Sequence, residues 1–207
     1  RDTEDYSSII QKYKSKIDVV YEKLDSNKGP GYARKRGIEI SSSRYIIFLD
    51  SDDVFYDKDS VSKLYNAIEE NNSDVVRSVI HEECGNEIRV YENENIGLHG
   101  KIYRRGFLEE KDITFNNEKS NEDTGFNLLI NLCGANYTDI SDVTYLWKDN
   151  KKSITRKNKD EYQDIHNEKN AYNIYWAFEE AVNRSYDMER YKYFSLLHIN
   201  LKFLLFW

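Results

Sequence analysis

Apolar residues Tyr6, Ile9, Ile10 and Tyr13 recur at helical spacing, which puts them on one face of a short helix. A strand is predicted over residues 18–22. The turn cluster Asn27-Lys28-Gly29-Pro30-Gly31 follows, and then a helix from Tyr32 to Ile40. Tyr45-Ile46-Ile47-Phe48-Leu49 is an unbroken apolar run, the composition of a strand buried on both faces of a parallel sheet. It ends abruptly in Asp50-Ser51-Asp52-Asp53. Val61, Leu64, Tyr65 and Ile68 then repeat the helical period, with Asp59 or Ser60 placed to cap the helix start. Asp74 to Ile80 reads as another strand. Helix alternating with buried strand over the first eighty residues predicts an α/β layer with parallel pairing, since parallel strands need crossover connections.

Beyond Ile80 the segments shorten. The pattern predicts a hairpin around Gly85-Asn86, a strand near Ile102-Tyr103 and a polar loop from Asn116 to Asn121. Phe126, Leu129, Ile130 and Cys133 mark one face of a helix starting near Glu122. Two short strands are expected at Tyr137 to Ile140 and Val143 to Trp147. From Lys159 the sequence reads as helical almost to its end, with Phe194, Leu197, Leu201, Leu204 and Leu205 on one stripe.

Composition narrows the classes. The 207 residues, 39% of them hydrophobic, suffice for one domain with a sizeable core plus a helical extension. A net charge of -7 gives no global attraction to nucleic acid or anionic lipid. Two cysteines, Cys84 and Cys133, have no metal-like spacing and are too few to staple the domain. They read as small core residues in a reducing compartment. With no run of eighteen apolar residues and no leader pattern, a cytoplasmic enzyme is the expectation. The start at Arg1 and the apolar end at Trp207 also suggest a piece of a longer protein.

Chemistry concentrates in a few places. The acidic cluster follows a buried strand, where ligands of α/β sheets bind. Alternation along an extended strand would aim Asp50 and Asp52 into one crevice, and paired hard oxygen ligands suit Mg²⁺ or Mn²⁺. An acidic turn capping the next helix is the plainer alternative. In the segment from Asn27 to Gly37, glycines permit close backbone approach, free helix N–H groups attract anions, and Arg34 and Arg36 add charge. An ordinary glycine turn with a solvated basic helix face explains the same residues. Glu122 and Asp123 suit a helix N-terminus through its dipole. His99 serves equally as a substrate ligand or as a hydrogen-bonding turn residue. His81, His166 and His198 form no metal spacing with one another.

Taken in order, Asn27-Lys-Gly-Pro-Gly-Tyr-Ala-Arg-Lys-Arg-Gly-Ile and Tyr45-Ile-Ile-Phe-Leu-Asp-Ser-Asp-Asp closely resemble the signature of family-2 glycosyltransferases, the large inverting GT-A group. His99-Gly-Lys-Ile-Tyr-Arg-Arg resembles the family's segment entering the acceptor region, and Asn121-Glu122-Asp123 resembles its Glu-Asp motif. Trp147-Lys148 through Arg156 resembles the stretch after the last core strand.

The resemblance implies a GT-A mixed sheet flanked by helices, with a catalytic domain over residues 1–156 and a helical extension over 157–207. Asn27, Gly29, Arg34, Asp50, Ser51, Asp52 and Arg156 would bind a nucleotide sugar, most naturally a UDP-sugar. Asp50 would contact the ribose and Asp52 a Mn²⁺ or Mg²⁺ ion, with a lesser expectation for Asp53. Asp123 would be the catalytic base. His99, Lys101, Tyr103 and Glu122 would shape the side that receives a hydroxyl acceptor on a glycan or polymer. The family normally opens with a β-α-β segment ending in Asp-Asp-Gly-Ser, and that segment is expected to lie upstream of Arg1. Two alternatives accompany this reading. One is a catalytically inactive GT-A-like module binding a glycan or a protein. The other is nucleotidyl transfer, which calls for a glycine-rich basic loop that the chain does not show. For Tyr172, Tyr175, Trp176 and Phe178, packing on the sheet, pairing in a homo-oligomer and peripheral contact with the inner face of a membrane all fit the pattern.

Overall fold

The computed structural model describes residues 5–118, 120–150 and 159–184. Its elements are α1 (Ser7–Tyr13), α2 (Pro30–Ile40), β1 (Tyr45–Ile46), β2 (Val54–Phe55), α3 (Ser60–Glu70), β3 (Val75–Cys84), β4 (Glu87–Tyr91), β5 (Lys101–Arg104), α4 (Arg105–Glu110), α5 (Glu122–Leu132), β6 (Tyr137–Trp147) and α6 (Lys159–Asn183). The strands form one mixed sheet in the order β1-β5-β3-β6-β2, with β4 added on β3.

Strand alternation builds two layers. In β3, Val75 packs under α5 and α6 with Phe126, Leu129, Ile174 and Ala177. Its neighbour Val76 faces the other way, onto Leu64 and Ile68 of α3. In β5, Tyr103 and Ile102 divide in the same manner. Successive strand residues point to opposite faces, so one strand serves both cores. Ile47 and Phe48 keep this division just past β1, one on each core.

Several expectations need correction. The only parallel pair among the described residues is β3 with β6; β1–β5, β3–β5, β3–β4 and β2–β6 are antiparallel. The apolar run Tyr45–Leu49 contributes only two ladder residues, because β1 stands at the sheet edge with β5 as its one strand neighbour. Residues 18–22 form no strand; without a pairing partner, Val20 and Tyr21 lie exposed. The two short strands expected around residues 137–147 are one, β6, and the break between them is a register irregularity opposite Arg77 to Ile80. At the start of α3, neither Asp59 nor Ser60 makes a side-chain cap. Asp57 orders that turn instead, accepting hydrogen bonds from the Asp59 N–H and the Ser60 hydroxyl, each at 2.9 Å.

Candidate functional site

The apolar run after β1 ends in a turn, in which the Asp53 N–H donates to the Asp50 carbonyl at 3.1 Å. A turn brings residues i and i+3 together, so Asp50 meets Asp53 rather than Asp52. This corrects the expected pairing of Asp50 with Asp52, which assumed an extended chain. Asp50, Asp53 and His99 each offer a ligand atom within 4.8 Å of the others. His99 Nε2 lies 3.6 Å from Asp50 Oδ2 and 4.0 Å from Asp53 Oδ2. Ser51 and Asp52 occupy the exposed part of the turn, where Asp52 Oδ2 accepts from the Asn150 side-chain amide at 2.8 Å.

Strand β6 fixes this turn from beneath. The Tyr145 hydroxyl donates to Asp53 Oδ2 at 2.7 Å, the Lys148 N–H donates to Asp53 Oδ1 at 2.9 Å, and the Asp50 N–H donates to Tyr145 Oη at 3.4 Å. His99 is held between Tyr145, 4.9 Å away, and Trp147, on which it stacks at 5.1 Å. Burial pushes the Asp53 carboxyl up, against the Tyr145 and Lys148 donors. Burial also opposes the Asp50 charge, but His99 and the Arg34 guanidinium overcome it and hold that carboxyl well below the usual carboxylate range.

Arg34 is engaged by two carboxylates. It donates to Asp50 Oδ1 at 2.6 Å and, from its other terminal nitrogen, to Glu122 Oε1. It thereby ties α2 to both the acidic turn and the start of α5. The helix reaches this position because Gly29 adopts φ +90° before Pro30 at the first helical position, with Asn27 Oδ1 accepting the Gly29 N–H at 2.9 Å. A Cβ on Gly31 would stand 3.0 Å from the Asn116 carbonyl and from Glu122 Cγ. Glycine at this position lets α2 approach α5 without displacing those neighbours. Asn27 and Gly29 themselves line a different concavity of about 450 Å³, with Tyr6, Tyr21 and Ala33.

Asp123 opens α5 and lines a cavity of about 310 Å³ together with Glu94, His99, Trp147 and Asn170. Its Oδ1 accepts the Thr124 N–H at 2.9 Å. Burial raises its carboxyl above the ordinary range, more than that N–H and the nearby Arg34 and His99 lower it. Glu122 is also raised, first by burial and then by Asp123, with Arg34 opposing. Because His99 belongs both to the acidic cluster and to this cavity, the two halves of the site are contiguous.

The remaining expected residues fall elsewhere. Lys101 and Tyr103, expected to help shape the acceptor side, are 1% and 0% exposed and lie behind the cavity lining. Lys101 donates to Glu94 Oε2 at 2.9 Å and to the Gly97 carbonyl; Tyr103 donates to Asn127 Oδ1 at 2.9 Å, and Asn127 Nδ2 donates to the Ile96 carbonyl at 2.7 Å. Both residues therefore brace the cavity loop from below. Arg156 lies outside the described residues, as does the apolar stripe from Phe194 to Leu205. No helix among the described residues is long and apolar enough to cross a membrane. Sequence reasoning passed over Tyr145, Glu94 and Asn170. Nothing in their spacing marks them: Tyr145 and Asn170 reach the site from elements distant in sequence, and Glu94 stands in the polar segment before His99 with no pattern around it.

A mixed sheet flanked by helices, with an acidic turn following an apolar edge strand and facing a carboxylate at a helix start, defines a GT-A-type nucleotide-diphospho-sugar transferase fold. The family model described as "Glycosyl transferase family 2" matches residues 1–130, and the chain belongs to that family. It is 27% identical over 161 residues to the poly(ribitol-phosphate) beta-N-acetylglucosaminyltransferase TarS of Staphylococcus aureus, covering 70% of this chain and 28% of that protein. It is 26% identical to a poly(ribitol-phosphate) beta-glucosyltransferase of Bacillus spizizenii, covering 71% of this chain and 26% of that protein. The crystal structure of S. aureus TarS residues 1–349 in complex with UDP superposes with a TM-score of 0.61 at 26% identity, covering 71% of this chain and 48% of that one. The chain thus spans about a quarter of the length of these two curated relatives.

Proposed function

We propose that this chain carries the catalytic centre of an inverting glycosyltransferase that moves a sugar from a UDP-sugar to a hydroxyl of a polyol- or glycan-containing polymer. The observation that carries the reading is the shared cavity: a desolvated Asp123 faces it, and His99 connects it to the acidic turn. The two curated relatives, a poly(ribitol-phosphate) N-acetylglucosaminyltransferase and a glucosyltransferase, favour a poly(ribitol phosphate) acceptor and an N-acetylglucosaminyl or glucosyl donor.

Asp123 accepts the proton of the acceptor hydroxyl as its oxygen bonds to the anomeric carbon. The bond from that carbon to the diphosphate breaks on the opposite face, and the nucleoside diphosphate leaves. Raising the carboxyl pKa makes its ionised form a stronger base. Asp50, Asp53 and His99, two carboxylates and an imidazole within 4.8 Å, would hold Mn²⁺, and less closely Mg²⁺, and Asp52 of the same turn, released from Asn150, would add a further ligand. Such an ion supplies charge stabilisation to the departing diphosphate. Asp50 keeps its charge through Arg34 and His99, as a metal ligand requires. Arg34 and Glu122 hold the turn and the base in mutual register.

The test is release of UDP from UDP-N-acetylglucosamine and UDP-glucose with poly(ribitol phosphate) and Mn²⁺, using the longest native polypeptide that contains this chain. Asp123→Ala is expected to reduce kcat about 10³-fold, the scale of a lost general base. Wild-type turnover surviving in that variant removes Asp123 from the role.

A further inference from the structure

Beyond the 130 residues that the family model matches, β6 and α6 complete the cavity. Trp147 enters from the end of β6 and Asn170 from α6. The position of α6 is set by buried polar contacts one turn beyond Asn170. Asn173 is fully buried; its Oδ1 accepts from the Asn116 amide at 2.5 Å and its Nδ2 donates to the Ser120 carbonyl at 3.1 Å. Lys169, directly before Asn170, pairs with Glu118 at 2.9 Å. Gly125 of α5 leaves room for this packing: a Cβ there would stand 3.0 Å from the Trp176 ring and 3.2 Å from the Asn173 carbonyl. Ile174, Ala177 and Ala181 carry the same helix into the core. Asn170 therefore projects from an anchored turn.

The cavity walls combine aromatic faces, Tyr91 and Trp147, with the amides of Asn121 and Asn170 and the carboxylates of Glu94 and Asp123. Ring faces suit the C–H surface of a sugar or polyol, and amides and carboxylates suit its hydroxyls. We propose that this cavity binds a polyhydroxyl unit of the acceptor and that Asn170 of α6 is a residue determining acceptor specificity. The inference rests on Asp123 being the acceptor-activating base. Asn170 orients the unit by hydrogen bonding, so that one hydroxyl lies against Asp123. The helix that follows the portion matched by the family model would then tune which acceptor is used, while the acidic turn handles the donor.

Asn170→Ala, Asn170→Ser and wild type in the same long polypeptide provide the test. Saturation-transfer NMR with free ribitol and with glucose reads the cavity without turnover, and calorimetric titration with UDP and Mn²⁺ reads the donor side. In Asn170→Ala the polyol signal is expected to be lost and KM for poly(ribitol phosphate) to rise about 5- to 10-fold, the scale of one lost hydrogen bond. Affinity for UDP should stay within about twofold, and Asn170→Ser should recover part of the polyol signal by keeping a polar atom. A polyol signal absent from wild type, or unchanged in Asn170→Ala, overturns the inference, as does equal weakening toward polyol and UDP. A wild type that gives the polyol signal but turns over no nucleotide sugar instead overturns the functional reading.

Discussion

Asp50 and Asp123 are the same side chain in adjoining halves of one site, and their surroundings drive them in opposite directions. Asp50 sits on a turn between a guanidinium and an imidazole, and its carboxyl is held well below the usual range despite partial burial. Asp123 sits at a helix start with one backbone N–H as its close donor, and burial prevails. The comparison shows how a single residue type can serve as a permanent anion in one place and as a proton acceptor in another, since pKa values follow desolvation, charge and hydrogen bonding. Arg34 reaches toward both halves and divides its two ion pairs between them.

Removing Arg34 tests the division most severely. Arg34→Ala leaves Glu122 buried without its cation and Asp50 with His99 alone. A broken buried pair costs about 3 kcal/mol, and partial exposure of Asp50 reduces its share. Chemical denaturation should therefore show an unfolding free energy lower by about that amount, and an unchanged midpoint would mean that the bridge contributes nothing to the fold.

The next test concerns the acidic turn. In Mn²⁺ titrations followed by electron spin resonance, Asp53→Asn and Asp52→Ala are each expected to lower affinity about 10- to 100-fold, the range seen when a metal's ligands or their close supports are altered. Equal affinity in Asp52→Ala alone would confine the ion to Asp50, Asp53 and His99. Equal affinity in both variants would remove metal binding from the turn.

The smallest effect is in the pH profile. A base with a raised pKa must be deprotonated to act, so kcat rises with pH through the folded-state pKa of Asp123 and the acid limb falls above 3.8, the ordinary aspartate value. The stability consequence has the same origin. A carboxyl raised on folding favours the protonated folded state, so Asp123 adds stability below its raised value and loses it as pH climbs through that value. Asp50, being depressed, has the opposite sign: its contribution is present above 3.8 and is lost as pH falls toward its folded value. Rate measurements in which the acid limb stays at the position of an exposed aspartate would remove the contrast between the two residues.

Much of this arrangement could be read from the chain. The 3.6-residue spacing of Val61, Leu64, Tyr65 and Ile68 corresponds to α3, and Glu122 begins α5 as its position before Phe126, Leu129 and Ile130 suggested. Gly85 forms the hairpin turn between β3 and β4. These signals are local, carried by side chains a few residues apart on one element. Strand pairing is not local. Tyr45–Leu49 has the composition of a central parallel strand, yet β1 takes an edge place beside the antiparallel β5, and residues 18–22 have no ladder to join. A strand's composition reports its burial, not the direction or number of its neighbours.

The same boundary runs through the site. By itself the sequence determined that acid follows an apolar run, that Glu122 and Asp123 open a helix, and that a glycine and proline turn cluster leads into a helix, because each is a property of neighbouring residues; α2 starts at Pro30, two residues before the expected Tyr32. Only tertiary structure decided that the turn joins Asp50 to Asp53 and His99, that Arg34 is shared between Asp50 and Glu122, and that Lys101 and Tyr103 lie beneath the cavity loop. It also brought Tyr145 and Asn170 to groups 92 and 47 positions earlier in the chain. Those contacts arise from packing α5 and α6 on one face of a mixed sheet, and linear spacing holds no record of which distant side chains such packing brings together.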